Sequence, residues 1–186
     1  YTINIVYDFA FDKNGAIWIG TDQGPFVASS PENYFNSSYT FMQPKIPRND
    51  GTNYADYLLT GTQITAVAVD GANRKWLGTN GSGVYLVSAD GLTTVNHFTA
   101  LNSPLLSDVV YSIAINGKTG EVVFGTAAGI VSYQGDATDP AETLDESNIK
   151  VFPNPVRPDY SGNITIEGLT DGADVKITSV SGQVIA

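Results

Sequence analysis

The groups through which this chain could do chemistry are few. His97 is the single histidine and cysteine is absent, which removes thiolate nucleophiles, thiolate zinc sites and disulfides and argues against a Ser/His/Asp triad. His97 precedes Phe98 in an outer-strand pattern and reads as an ordinary surface or half-buried imidazole. Asp12, Asn14, Asp70 and Asn73 carry oxygens suited to calcium, but EF-hand spacing is absent and no Glu stands where such a loop would close. Asp and Asn bond their own backbone in turns, and turn capping is the expectation for these four. Trp18, Trp76 and Phe124 read as equivalent positions of a repeat. They could form an aromatic platform for sugars; packing of large rings between repeats is the reading favoured. Arg48, Tyr54 and Tyr57 lie in a long segment rich in Ser, Asn, Pro and Tyr and are the candidate binding residues, because long loops on rigid scaffolds carry function. No catalytic, metal or cofactor-binding residue is assigned, and no cofactor is expected.

The elements that must position these residues are strands. Hydrophobic residues make up 42% of the 186 and charged residues 15%, a mix that buries a core rather than staying disordered. The formal charge of -10 repels a polyanion, which excludes nucleic acid as a partner. No apolar run approaches the roughly 20 residues that span a bilayer as a helix. Three segments share one template of alternating strand, turn, apolar strand ending in Gly-Thr, Gly, and another strand: Ile5 to Val27, Ile64 to Val87 and Val109 to Tyr133. Their Gly-Thr pairs, Gly20-Thr21, Gly78-Thr79 and Gly125-Thr126, are spaced by 58 and 47 residues. A repeat of about 40–50 residues with four strand-like runs is the footprint of a β-propeller blade. Period-2 alternation at 65–69 and 112–115 agrees, and helical periodicity is absent. The fourth strand of the second blade is expected over 93–99. The longer first interval holds its excess in Ser29 to Gln63, read as a surface loop with room for short strands.

The fold class expected is therefore all-β: a partial propeller of about three blades at 1–138, a linker at 139–147 within a turn-like acidic stretch that begins near Gln134, and an incomplete antiparallel Ig-like sandwich at 148–186. In the last part, Ile149 to Phe152, 163–167 and 173–178 read as strands, Ser181-Gly182 as a hairpin turn, and Gln183 onward as another strand. A propeller closes with about four to eight blades, so the missing blades are expected from the rest of the protein or from another copy. Tyr1 is not a start residue, and the sequence reads as a piece of a longer product.

Asp12-Lys13-Asn14-Gly15 superficially resembles the sialidase Asp-box, but Gly15 is one place too far from Asp12 and Ala10 replaces the Ser or Thr. A sialidase triad would also need all of Arg48, Arg74 and Arg157, and Arg157 falls in another domain. The fuller resemblance is to the two-component regulator propeller repeat: Trp18-Ile19-Gly20-Thr21 fits its pattern letter for letter, Trp76-Leu77-Gly78-Thr79 is close, and Val123-Phe124-Gly125-Thr126 replaces the Trp. Val151-Phe152-Pro153-Asn154-Pro155-Val156 and the strands after it resemble the start of the Por (type IX) secretion C-terminal domain of Bacteroidetes. The order of the two is similar to the PorZ-type family of surface components. That resemblance implies a non-enzymatic scaffold and binding module at the outer membrane or cell surface of a Gram-negative bacterium. Its implied partners are outer-membrane secretion-system proteins, with lipopolysaccharide or polysaccharide as a further ligand. Two alternatives stay open: a periplasmic propeller sensor of a hybrid two-component system, and a secreted propeller enzyme acting on glycans and carrying a sorting domain.

Overall fold

The computed structural model describes residues 3–48 and 50–185. Among these residues the regular secondary structure is antiparallel strand apart from two single-turn 3-10 helices, and the fold is all-β. The chain divides into two units, Tyr1–Asp139 and Pro140–Ala186.

The first unit holds three successive meander sheets, the blades. Blade 1 is β1 (Val6–Phe11), β2 (Ile17–Thr21) and β3 (Gly24–Ala28). The segment that follows forms a separate two-stranded hairpin, β4 (Lys45–Pro47) and β5 (Ala55–Tyr57), and touches the blade sheet through a bridge between Val27 and Met42. Blade 2 is the four-stranded sheet β6 (Ile64–Val69), β7 (Lys75–Thr79), β8 (Val84–Val87) and β9 (Thr94–Phe98), whose last strand lies where alternation placed it. Blade 3 is β10 (Val110–Ile115), β11 (Glu121–Thr126) and β12 (Gly129–Gln134).

The repeated residues are repeated devices. Each Gly-Thr threonine locks its hairpin: the hydroxyls of Thr21, Thr79 and Thr126 donate to the carbonyls of Gly24, Gly83 and Gly129 at 2.7–2.8 Å. The same oxygens accept the N–H of Gln23, Ser82 and Ala128. The glycine beside it lets the next blade approach. A Cβ on Gly20 would stand 2.8 Å from the Ile64 carbonyl, and one on Gly78 3.0 Å from the Val110 side chain. The first strand of every blade carries a register irregularity at its second position, Val6/Asp8, Ile64/Ala66 and Val110/Ser112, which adds local twist.

Alternation then directs the two faces of a blade into two different cores. Leu77 packs toward blade 1 with Trp18, Leu58, Ile64, Val67 and Val87. Trp76, its neighbour in sequence, packs toward blade 3 with Leu86, Val110, Val122 and Phe124. The register corrects the sequence alignment at one point. Trp18 opposes Ala10 and Trp76 opposes Ala68, and the residue opposing Ala114 is Val123. Phe124 is thus equivalent to Ile19 and Leu77, not to the tryptophans. Counted from the Gly-Thr pair, Phe124 stands one residue before the glycine, as Ile19 and Leu77 do, whereas the tryptophans stand two before it.

After β12 the sequence suggests a linker, yet residues 136–139 are bonded back across the turn ends of all three blades. Arg74 pairs with Asp136 at 2.5 Å, Lys13 pairs with Asp139 at 2.5 Å, and the Asp139 N–H donates to Gly117 O at 2.6 Å. Gly71 and Gly117 make the room: a Cβ on either would run into the Thr138 carbonyl or the Asp139 carboxylate.

In the second unit, β13 (Lys150–Phe152) pairs with β14 (Thr165–Glu167), and Ala141 bridges Thr170. The alternation at 173–178 yields one bridge, Thr178 to Val184, around the Ser181-Gly182 turn rather than a regular strand. Among the described residues none of this unit is buried, so no second layer holds that segment in a ladder. Ala186 lies outside the described residues.

Candidate functional site

The carboxylates with calcium-like spacing are occupied by their own turns. Asp12 accepts the N–H of Asn14 and Ala16, both at 2.9 Å, and Asp70 those of Ala72 at 3.0 Å and Arg74 at 2.9 Å. The second oxygen of each takes the indole N–H of the tryptophan six residues on, Trp18 at 3.3 Å and Trp76 at 3.1 Å. Asn73 adopts a left-handed φ of 60° and accepts the Lys13 N–H across the blade boundary. Among the described residues no group of three or more His, Cys, Asp or Glu gathers as a metal site. His97 lies in β9, bonds the Ser82 carbonyl through Nε2 at 2.8 Å and stacks on Tyr85 at 3.9 Å.

Between blades 1 and 2 a charged joint is sealed from water. Lys75 is 0% exposed. Its ammonium donates to the carbonyls of Asn73 at 2.9 Å and Ala89 at 2.6 Å, lies 3.1 Å from Asp12, and sits over the Trp18 ring. Burial pushes the Lys75 ammonium below its usual value, opposed by the Asp12 carboxylate. Burial also raises Asp12, but the bond to Lys75 and the two turn N–H groups outweigh it and hold the carboxyl low.

An open concavity of the first unit lies elsewhere. It is a cleft of about 660 Å³ formed where the long segment after blade 1 meets β2, β3 and the Ser88–Leu92 turn of blade 2. Trp18 and Phe26 form its buried floor, and Phe41, Met42, Tyr57 and Leu92 line it with exposed apolar surface. The turn is pressed onto the Trp18 ring, and Gly91, at φ 74°, is the residue at that contact. Two charged side chains lie on the lining. Lys45 holds its ammonium 5.3 Å over the Tyr57 ring. Asp90 is held low by the Ser88 hydroxyl and the Leu92 N–H.

Of the residues singled out by sequence, Tyr57 lines this cleft and the other two do not. Arg48 and Tyr54 face each other at the far end of the β4–β5 hairpin, joined by the Arg48 N–H and the Tyr54 carbonyl at 3.1 Å. The Arg48 guanidinium is held by Asp56 through two bonds of 2.8 and 2.6 Å, which raises the arginine and lowers the carboxylate. Sequence reasoning missed Lys45, Phe41, Met42, Asp90 and Leu92. The first three carry a signal, an aromatic-Met run beside a lysine in the same long segment; Asp90 and Leu92 come from another blade and carry none.

Residues 1–23 match the family model described as two component regulator propeller. Among curated proteins no sequence relative matches. The chain is similar in structure to PorZ, described as an essential bacterial surface component of the type-IX secretion system of Porphyromonas gingivalis. The identity is 34% and the TM-score 0.68, over 99% of this chain and 24% of that one. This chain therefore spans about a quarter of that protein's length. It is also similar to the extracellular domain attributed to the hybrid two component system BT3049 of B. thetaiotaomicron. There the identity is 24% and the TM-score 0.51, over 88% of this chain and 21% of the other, a likeness of fold alone.

Proposed function

We propose, taking as premise that the chain is a PorZ-like protein of two-component-regulator-type propeller repeats, that it is a non-enzymatic scaffold and binding module of a type IX secretion apparatus at the bacterial surface. The carrying observation is the 34% identity to PorZ running through 99% of the chain, across both units rather than in the repeats alone. Protein partners from the outer-membrane machinery are the ligands this reading favours. They engage the face built around the β4–β5 hairpin, with Tyr57 inside the cleft and Arg48 and Tyr54 at the hairpin's end. A surface glycan is a second ligand class, which the charge of -10 opposes and which would rely on local cations and aromatic rings. The outer faces of blades 1 and 3 are covered by further blades, from the rest of the protein or from another copy.

The test is in-cell crosslinking of the full-length protein followed by identification of its neighbours. Outer-membrane secretion components are the expected partners. Recovery of a membrane-linked histidine kinase in their place would favour the sensor reading, for which the repeat match at residues 1–23 is the motivating observation.

A further inference from the structure

The cleft is shaped and charged for a particular kind of segment. Its volume of about 660 Å³ lies within the roughly 300–1,000 Å³ typical of ligand pockets, room for one large side chain with its flanking backbone. Exposed apolar groups converge on it from two directions, Met42 at 58% exposure from the long segment and Leu92 from blade 2. Methionine beside aromatic rings is an adaptable apolar surface. The polar groups of the wall are already engaged. The Gln43 amide donates to the Gln23 and Leu58 carbonyls, the N–H and C=O of Met42 pair with those of Val27, and the Asp90 carboxylate accepts from Ser88 and Leu92. Little is left to order a ring of sugar hydroxyls. The exception is Lys45, exposed, stacked on Tyr57, and without an ion pair among the described residues.

Resting on the reading that this chain binds protein partners, we propose that the cleft receives an extended peptide segment of the partner through one large apolar side chain, with a single adjacent carboxylate seated on Lys45. The apolar floor supplies the burial that drives binding, and the lysine fixes direction along the cleft. Asp90 stays ionised beside the same space and repels further negative charge, so the recognised segment carries one acid next to its apolar residue rather than an acidic run.

The experiment titrates the full chain with three six-residue peptides of otherwise Gly/Ser sequence, centred on Phe-Glu, Phe-Gln and Ser-Glu, and with a sulfated hexasaccharide, by calorimetry. The Phe-Glu peptide binds most tightly. Its advantage over Phe-Gln is about two- to fivefold, the size of one exposed ion pair, and Ser-Glu and the saccharide bind least. In Lys45→Gln, a substitution at an exposed site, the acid and amide peptides become equal. In Met42→Asp both Phe peptides lose binding, while Lys118→Gln, at an exposed turn of blade 3 outside the cleft, leaves the ranking unchanged. Absence of Phe-Glu binding, equal affinity of acid and amide in the unsubstituted chain, or tighter binding of the saccharide overturns the proposal. If crosslinking recovers secretion components while the peptides show no preference, only this inference fails. If the preference holds and no secretion component is recovered, the cleft chemistry stands and the proposed function falls.

Discussion

At the scale of single residues, stability is concentrated where a polar atom is buried and answered. Lys75 is the sharpest case, because its ammonium depends on Asp12 and two carbonyls for everything that water would have provided. Asp12→Ala leaves that charge unpaired and also frees two turn N–H groups and an indole N–H. We expect a loss of about 3–5 kcal/mol in equilibrium denaturation. Lys75→Met also destabilises, because it leaves the Asp12 carboxylate without its cation and the Asn73 and Ala89 carbonyls without a donor, but by less than Asp12→Ala, since Asp12 keeps three N–H donors; equal losses would show that those donors do not support the carboxylate. A second expectation concerns acid. The Arg74 bond holds the Asp136 carboxyl below its ordinary 3.8. A lowered folded-state value adds stability above the unfolded value and loses it as pH falls through the folded one. Stability should therefore fall below about pH 4, and Asp136→Asn should flatten that limb when unfolding is followed against pH.

At the scale of elements, the segment 136–139 acts as a strap over the turns. Gly71→Val puts a branched side chain where the Thr138 carbonyl lies. The expected result is a loss of about 1–3 kcal/mol, as for overpacking, with faster amide exchange at Asp139 and little change at Thr79. Unchanged exchange at Asp139 would mean that the strap is not held there. The strands of the blades were legible because each is marked by single residues with local jobs, a threonine that closes a hairpin and an aspartate that caps a turn. Phe124 is an aromatic ring one place from the tryptophan position, and because successive strand residues face opposite sides, that one place puts it on the other face of its blade. The strap and the cleft were hidden for a different reason. Both are made by residues far apart in sequence, such as Lys13 with Asp139 or Tyr57 with Leu92, and no spacing rule encodes them. Tyr57 was reached through the composition of its segment; Arg48, chosen with it, is engaged by Asp56 two strand positions away.

At the scale of the first unit, apolar burial is uneven. The cores between blades 1 and 2 and between blades 2 and 3 are closed, while Phe9 and Phe11 on the far side of blade 1 are 60% and 62% exposed and Ile130 of blade 3 is 76% exposed. Sheets with such faces seek cover. The 186-residue chain is expected to bind an apolar dye and to sediment faster as its concentration rises, and Phe9→Glu with Ile130→Lys should reduce both. A strictly monomeric, dye-free chain would count against the reading that further blades cover these faces.

The sealed ammonium at the first joint also has a bearing on how the blades are arranged. Blade 3 offers Asn116 where blade 1 offers Asp12, and an amide does not neutralise a cation. Blade 2 therefore accepts blade 1 on its Lys75 side and would reject a copy of blade 3 there. The backbone sets the order of blades within this chain; the mismatch adds a penalty wherever a shuffled or duplicated gene segment would seat a copy of blade 3 against Lys75.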